Sequence, residues 1–291
     1  MEIKNTFICN LCPNACGVDR SISRGACGVK DEILISKFDL HFFEEPIISG
    51  TNGSGTVFFT GCSLRCAFCQ NYELSRAMRG KIVTPNQLAD IFKALEDKGA
   101  HNINLVTPSH YSKQIVKALE IYKPNIPIVY NTHSFETIEN LEIIDPYVDI
   151  YLPDLQFFNP EISKRYTGKS NYFEVASRAI KFMMQSKKTV VEKGLLKSGV
   201  LVRQLILPLC KSDSVKIVKW FNDNQKNGAY LSIMSQYTPL IKNETLLELN
   251  RTITKKEYSA VLDYALNLNL ENVFIQDLSS ASEVYIPKWD Y

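Results

Sequence analysis

Three of the chain's eight cysteines stand in one short stretch: Cys62, Cys66 and Cys69 in GCSLRCAFCQN (residues 61–71), spaced C-x3-C-x2-C. Directly before them runs TVFFT (residues 56–60), a β-branched and aromatic segment that reads as a buried strand. The thiols therefore sit on a loop at the C-terminal end of a strand. Three thiolates on one tight loop can converge on three corners of an iron–sulfur cube, which ordinarily takes four cysteines. The loop holds no fourth cysteine, so one iron is left for a non-protein ligand, as a catalytic metal keeps an open position. The alternatives are a zinc site or a disulfide framework. Zinc usually shows paired C-x2-C elements with four ligands, and a C-x3-C-x2-C placed directly after an apolar strand is the more specific pattern.

A second group comes earlier. Cys9, Cys12, Cys16 and Cys27 are spaced C-x2-C-x3-C-x10-C, with Gly17, Gly25 and Gly28 nearby for tight turns. Four soft ligands close in sequence read as a closed metal site, and a segment this short and polar would draw its folding energy from the metal. Thiolate softness does not separate structural zinc from a second iron–sulfur cluster with an electron-transfer or auxiliary role; zinc is the plainer reading. The remaining cysteine, Cys210, reads as an inert packing residue.

Length and charge set the outer bounds. At 291 residues the chain can bury a sizeable core as one α/β domain with a small appendage. A net charge of +2 gives no footing for a nucleic-acid or membrane partner, and no run of about 18 apolar residues occurs. The opening MEIKNTFICN lacks the apolar core of a signal peptide. The expected compartment is the cytoplasm, where eight cysteines argue for metal rather than disulfides.

The elements that must position these residues follow a regular rhythm. After residues 56–60, strands are predicted at 102–106, 126–130, 148–152, 200–207 and 230–234. Between them lie helical patterns. Thr84-Pro85-Asn86-Gln87 reads as a capping box with proline first, and Gly99 as the stop. Further helices are expected around residues 115–119, 138–144, 172–185 and 215–221. Six strands alternating with helices imply parallel βα units. Ile33, Leu34, Ile35 and Phe38 suggest a strand or hairpin in the connector, and Glu44-Glu45-Pro46 reads as a solvated turn. Residues 186–199 read as a polar, mobile surface loop. The tail offers a helix near 255–266, a strand at 273–275 and an apolar end at 285–289 that is expected to pack on the barrel's open side.

GCSLRCAFCQN resembles the cluster motif of the radical S-adenosylmethionine (AdoMet, or SAM) enzymes, in the branch of pyruvate formate-lyase-activating enzyme and its PflX-like homologues. The resemblance runs from about Cys9 to Gln236. It implies an α/β fold with a partial (β/α)6 TIM-like barrel, which the strand count fits. The expected organisation is an N-terminal metal-binding segment and connector (1–50), the partial barrel (51–240) and a C-terminal extension packed on it (241–291). The resemblance also implies a [4Fe-4S] cluster on Cys62, Cys66 and Cys69, with AdoMet chelating the open iron. Reductive cleavage of AdoMet then yields a 5′-deoxyadenosyl radical that abstracts hydrogen from a substrate. Flavodoxin or ferredoxin is the implied electron donor, and a glycyl-radical enzyme is one implied protein substrate. The other reading is a non-catalytic iron–sulfur protein for electron transfer or sensing.

In such barrels active sites gather at the C-terminal strand ends. That rule selects the cysteine loop, residues 107–110 and 131–133, Asp154, Arg203 and Gln236; Thr132 and Ser109 read equally as helix caps. His110 is the stronger histidine candidate for chemistry and His133 the weaker, while His41 and His101 read as structural. The resemblance adds roles. Phe68 is placed against the adenine. Thr107 and Pro108 stand where a Gly-Gly-Glu segment binds the AdoMet amino group. Asn131-Thr132-His133-Ser134 replaces Asp-Thr-Asn-Gly, and Pro153-Asp154-Leu155-Gln156 replaces Leu-Asp-Leu-Lys. Asp154 is then the side chain for AdoMet or an associated cation. Gln156 removes a positive charge that Arg203 could restore as a bidentate carboxylate partner. Gln236 and Tyr237 stand where the activating enzyme has a Tyr-His pair.

Overall fold

The computed structural model describes residues 8–281; the apolar end at 285–289 lies outside them. Strands β1 (Ile33–His41), β2 (Ser54–Phe59), β3 (Lys81–Val83), β4 (Ile103–Val106), β5 (Ile128–Thr132), β6 (Ile150–Pro153), β7 (Val190–Glu192), β8 (Leu195–Leu205), β9 (Tyr230–Met234) and β10 (Val273–Ile275) form one sheet. Its order is β10-β9-β8-β6-β5-β4-β2-β1-β3, with β7 paired to β8. From β10 to β2 every pairing is parallel. β1 then joins β2, and β3 joins β1, antiparallel. The path does not return on itself, so the barrel is partial and open.

Helices fill the crossovers: α1 (Pro46–Ser49), α2 (Tyr72–Ser75), α3 (Pro85–Asp97), α4 (Ser112–Ile121), α5 (Ile138–Ile144), α6 (Pro160–Thr167), α7 (Tyr172–Ser186), α8 (Lys211–Asn224) and α9 (Lys255–Asn267). The boundaries of α3 show how the sequence sets them. The Thr84 hydroxyl accepts from the Gln87 backbone while the Gln87 side chain accepts from the Thr84 backbone, a complete capping box. Just past the helix, Gly99 holds φ +83°, a left-handed conformation that costs glycine little.

Because the parallel strands are covered on both faces, alternate residues serve two different cores. Ile103, Leu105, Tyr130, Val200, Val202, Leu231 and Ile233 face the helices in the main core. Val129, Ile150, Leu152 and Leu201 point inward and meet Ile47 and Ile48 of α1. The short α1 thus closes the barrel floor with an apolar plug.

Above that plug is a charged layer. Glu44 and Glu45, expected as a solvated turn, instead enter the barrel, and both carboxylates pair with the Arg203 guanidinium. The exposure of these side chains is 10%, 7% and 9%, so the cluster is essentially desolvated. Asn104 Nδ2 donates to Glu44 Oε1 at 2.7 Å. The sequence does not show this burial, because a Glu-Glu-Pro triplet carries no sign of the arginine about 160 residues later that neutralises it.

Two further elements differ from expectation. The predicted surface loop at 186–199 contains the β7–β8 hairpin, which lengthens β8 backwards to Leu195. β10, expected as a strand in an appended tail, extends the parallel sheet beside β9.

The plug yields the first prediction. Ile48 is fully buried, whereas Ile22 is 71% exposed. Ile48→Ala should lower stability by about 2–5 kcal/mol through lost burial and a residual cavity, and Ile22→Ala by about 0.5 kcal/mol or less, both read by urea unfolding.

Candidate functional site

The cysteine loop leaves β2 at a point where only glycine fits. Gly61 has φ +95°, and a Cβ there would lie 2.9 Å from a Val29 methyl, 3.0 Å from the Cys27 carbonyl and 3.1 Å from His110 Nε2. The loop is then tied from several directions. Cys62 N–H donates to the Cys27 carbonyl at 3.0 Å and Gly61 N–H to Leu74 O at 2.9 Å. Ala67 N–H donates to the Tyr166 carbonyl of α6 at 2.8 Å. Asn14 Nδ2 holds the Ser63 carbonyl at 2.8 Å, and the Ser63 hydroxyl meets His133 Nε2 at 2.9 Å. The Ser75 hydroxyl reaches Cys69 Sγ at 3.4 Å, and Arg65 N–H reaches Cys62 Sγ at 3.4 Å.

His133 has a definite tautomer in this arrangement. Its Nδ1 accepts from Phe135 N–H at 3.0 Å, so Nε2 carries the proton and donates to Ser63. Burial pushes its pKa down to about 4 and keeps the ring neutral.

All three thiols open into one cavity of about 220 Å³ at the C-terminal ends of the strands. Its wall also carries Phe68, Gln70, Thr107, Asn131, His133, Asp154, Gln156, Arg203 and Gln236. Most strand-end candidates therefore converge there, because the register sets Phe58, Val106 and Asn131 level with one another across β2, β4 and β5. Thr107 adopts φ +58°, unusual for a β-branched residue and the kind of strain that persists where surrounding structure enforces it. Phe68 stands edge-on to Phe157 and Tyr166, at 5.6 and 6.4 Å between centroids.

The electrostatics single out Asp154. Among the described residues its carboxylate makes no hydrogen bond, and it faces the cavity. Burial, reinforced by Glu45 and Glu44 and opposed by Arg203, raises its pKa to about 7. Burial also raises the thiols, Cys62 to about 12, with Cys66 and Cys69 raised as well. Glu44 stays below the usual carboxylate range: burial would raise it, and the Arg203 charge outweighs that.

Other candidates are placed differently. His110 is buried away from the cavity, with its ring Nε2 at 2.9 Å from the Thr60 carbonyl, so it braces the strand that carries the loop. Of the two histidines, His133 is the one at the cavity. Pro108 is not part of the wall; its carbonyl accepts from Tyr111 N–H. Arg203 reaches the wall, but its Nε and one terminal nitrogen are committed to Glu44 and Glu45, so among the described residues only the other terminal nitrogen is left for the expected carboxylate-binding role. The Gln156 amide is similarly engaged by the Leu205 backbone on both sides. Cys210 is buried, lies outside the cavity wall, and burial raises its pKa to about 12.

Some wall residues escaped the sequence. His41 and Glu44 both line the cavity. His41 ends an antiparallel strand, so a rule about parallel strand ends passes over it. The brace from α6 was also missed, although Asn159-Pro160 at its start and Gly168 at its end mark it; Asn159 caps it, and Gly168 takes φ +76°.

The four N-terminal thiols lie behind the loop. A Cβ on Gly25 would sit 3.3 Å from Cys27 Sγ and 3.5 Å from Cys16 Sγ; Cys16 hydrogen-bonds to Cys9, and Cys12 senses Cys27 and Cys9 electrostatically. Among the described residues no three His, Cys, Asp or Glu side chains gather to the spacing of a single metal ion. A cube spreads its thiolates over separate irons, so the Cys62, Cys66 and Cys69 set does not need that spacing. No described helix is long and apolar enough to cross a membrane.

Comparison with known proteins places this geometry. The sequence profile of the Radical SAM superfamily matches residues 56–194. "Uncharacterized protein MJ0674" of Methanocaldococcus jannaschii is 30% identical over 281 residues, covering 93% of this chain and 78% of that protein. Among solved structures, SuiB of Streptococcus suis bound to precursor peptide SuiA matches with TM-score 0.52 and 13% identity over 76% of this chain. Native anSMEcpe with bound AdoMet matches with TM-score 0.50 and 15% identity over 75% of this chain. This chain spans 48% and 61% of those two proteins, so they show a shared fold.

Asp154 gives a pH prediction. Its folded pKa of about 7 lies above the unfolded value of about 3.9. The native state therefore holds the extra proton between these values, and stability falls as pH rises through that window. In cluster-free protein, Asp154→Asn should be more stable than wild type by a few kcal/mol at pH 8, with the gain vanishing near pH 4, by chemical unfolding across pH. A gain that does not change with pH would remove Asp154 as its source.

Proposed function

This chain belongs to the radical SAM superfamily and is an enzyme, and on that footing we propose that it cleaves AdoMet reductively in the cavity beneath Cys62, Cys66 and Cys69 to start hydrogen abstraction from a protein or small-molecule substrate. The observation that carries this reading is the convergence of three thiols and an unpartnered carboxylate, Asp154, on one cavity. When bound, a [4Fe-4S] cluster with AdoMet on its open iron supplies a 5′-deoxyadenosyl radical.

The residues present fit that pair. Soft thiolates suit three irons, and the loop offers no fourth. Asp154 is a hydrogen-bond acceptor for the iron-bound amino group of AdoMet, and ionises once the positively charged sulfonium ligand is in the cavity. The Thr107 and Asn131 strand ends offer further polar contacts, and Phe68 offers an aromatic face to adenine. His133 holds Ser63 and thereby the loop's first turn. Arg203 and its two glutamates lie between the cavity and the apolar plug of α1.

The finer assignment follows the resemblance of the loop to the pyruvate formate-lyase-activating branch. On it, the enzyme is an oxidoreductase fed by flavodoxin or ferredoxin, acting in the cytoplasm, and a glycyl-radical enzyme is one candidate substrate. We assign a second metal centre to Cys9, Cys12, Cys16 and Cys27, zinc by the plainer reading of their spacing or an iron–sulfur cluster, because a segment with little core of its own would draw its folding energy from a metal.

Anaerobic reconstitution with iron and sulfide, then dithionite and AdoMet, tests the proposal. Wild type should release methionine and 5′-deoxyadenosine, and variants with Cys62, Cys66 or Cys69 changed to Ala should release neither. A reducible cluster that leaves AdoMet intact would point to electron transfer or sensing instead.

A further inference from the structure

Arg20 is the most deeply buried cation of the N-terminal segment, at 1% exposure. One terminal nitrogen donates to the His110 carbonyl at 2.6 Å and the other to the Lys30 carbonyl. Its guanidinium carbon lies 5.6 Å from the Tyr111 ring centroid. Those partners are neutral. Among the described residues no carboxylate pairs with Arg20, and its Nε–H has no hydrogen-bond partner. A buried, unpaired charge is costly unless an opposite charge sits beside it.

The orphan edge points to where that charge belongs. A Cβ on Gly25 would lie 3.8 Å from Arg20 Cδ, the carbon that bears Nε, and 3.3 and 3.5 Å from the Cys27 and Cys16 sulfurs. The Arg20 side chain thus passes beside two of the four thiols, close enough for its charge to act on Cys27. A metal held by four thiolates is a dianion, whether the metal is zinc or an all-cysteine iron–sulfur cluster with two net positive charges.

We infer that Arg20 is the counter-ion of an anionic metal–thiolate centre at Cys9, Cys12, Cys16 and Cys27, donating its Nε–H to a bound sulfur. This rests on the metal assignment proposed above. Arg20 is a positioning residue: it touches neither AdoMet nor the reacting atoms. Its grip on the His110 carbonyl, while the His110 ring holds Thr60 O, ties the metal module to the strand end that carries the cysteine loop. The role is independent of which metal binds, since both candidates carry the same excess negative charge.

Metal release to a chelator tests this in the full-length chain, counting zinc and iron over time. The release phase missing from a Cys9→Ala/Cys12→Ala variant reports the N-terminal site. In Arg20→Met that phase should be about 10- to 100-fold faster, as for other outer-shell partners of metal ligands. Arg20→Lys, which keeps the charge, should stay within a few-fold of wild type. In metal-stripped protein Arg20→Met should melt no lower than wild type, because the methionine no longer buries an uncompensated cation. Release from Arg20→Met at the wild-type rate, or equal acceleration in Met and Lys variants, would overturn the counter-ion role. If no release phase depends on Cys9 and Cys12, the metal assignment itself fails and takes this inference with it.

Discussion

A loop that carries three thiols at the edge of a core cannot hold its own shape. Burial leaves the thiols neutral and without charged partners, and the loop's short path gives it few internal hydrogen bonds. Its conformation is therefore imposed from outside. Cys27, Leu74 and Tyr166 supply carbonyls, Asn14 and His133 grip Ser63, and Gly61 permits the sharp exit from β2. These contacts come from the N-terminal segment, from α2, from α6 and from the end of β5. Much of the architecture can be understood as the means of bringing those groups to one place.

The barrel interior is built for the same end, in layers. An apolar plug from α1 seals the floor, the Glu44–Glu45–Arg203 cluster lies above it, and the cavity opens above that. The charged layer does not add stability in proportion to its Coulomb energy, since three desolvated charges must first leave water. What it does is set a field. Burial is the main reason that Asp154 above them holds its proton to about pH 7, and the two glutamates offset part of the opposing pull of Arg203. A cationic ligand entering the cavity would supply the missing charge.

How far the residues alone reveal this depends on whether a feature is local. The βα rhythm, the α3 capping box and the cysteine spacing are written in consecutive residues, and they are legible. So is the set of strand ends, because apolar runs stop at the barrel rim and polar residues begin there. The buried Glu44–Glu45 pair is not legible, since only its long-range partner Arg203 makes burial tolerable. The place of His110 is hidden for a related reason: a histidine four residues past a strand end can turn into the cavity or back against the strand, and packing against Thr60 and Gly61 decides which. The α6 brace had end signals but only a short apolar stripe, Ile162 and Tyr166, too brief to stand out by periodicity. Residues 186–199 read as a loop because Lys187, Lys188, Lys193 and Lys197 surround apolar runs, Val190-Val191 and Leu195-Leu196, too short to stand out as strands.

The central claim is that three thiolates of one loop leave a single iron free for AdoMet. Mössbauer spectroscopy on protein reconstituted with iron-57 tests it most directly, with and without AdoMet. The account predicts that about one quarter of the cluster's iron signal shifts when AdoMet is added, as one of the cube's irons gains nitrogen and oxygen ligands. A spectrum in which all the irons stay equivalent and unmoved, with AdoMet present in excess, would contradict it.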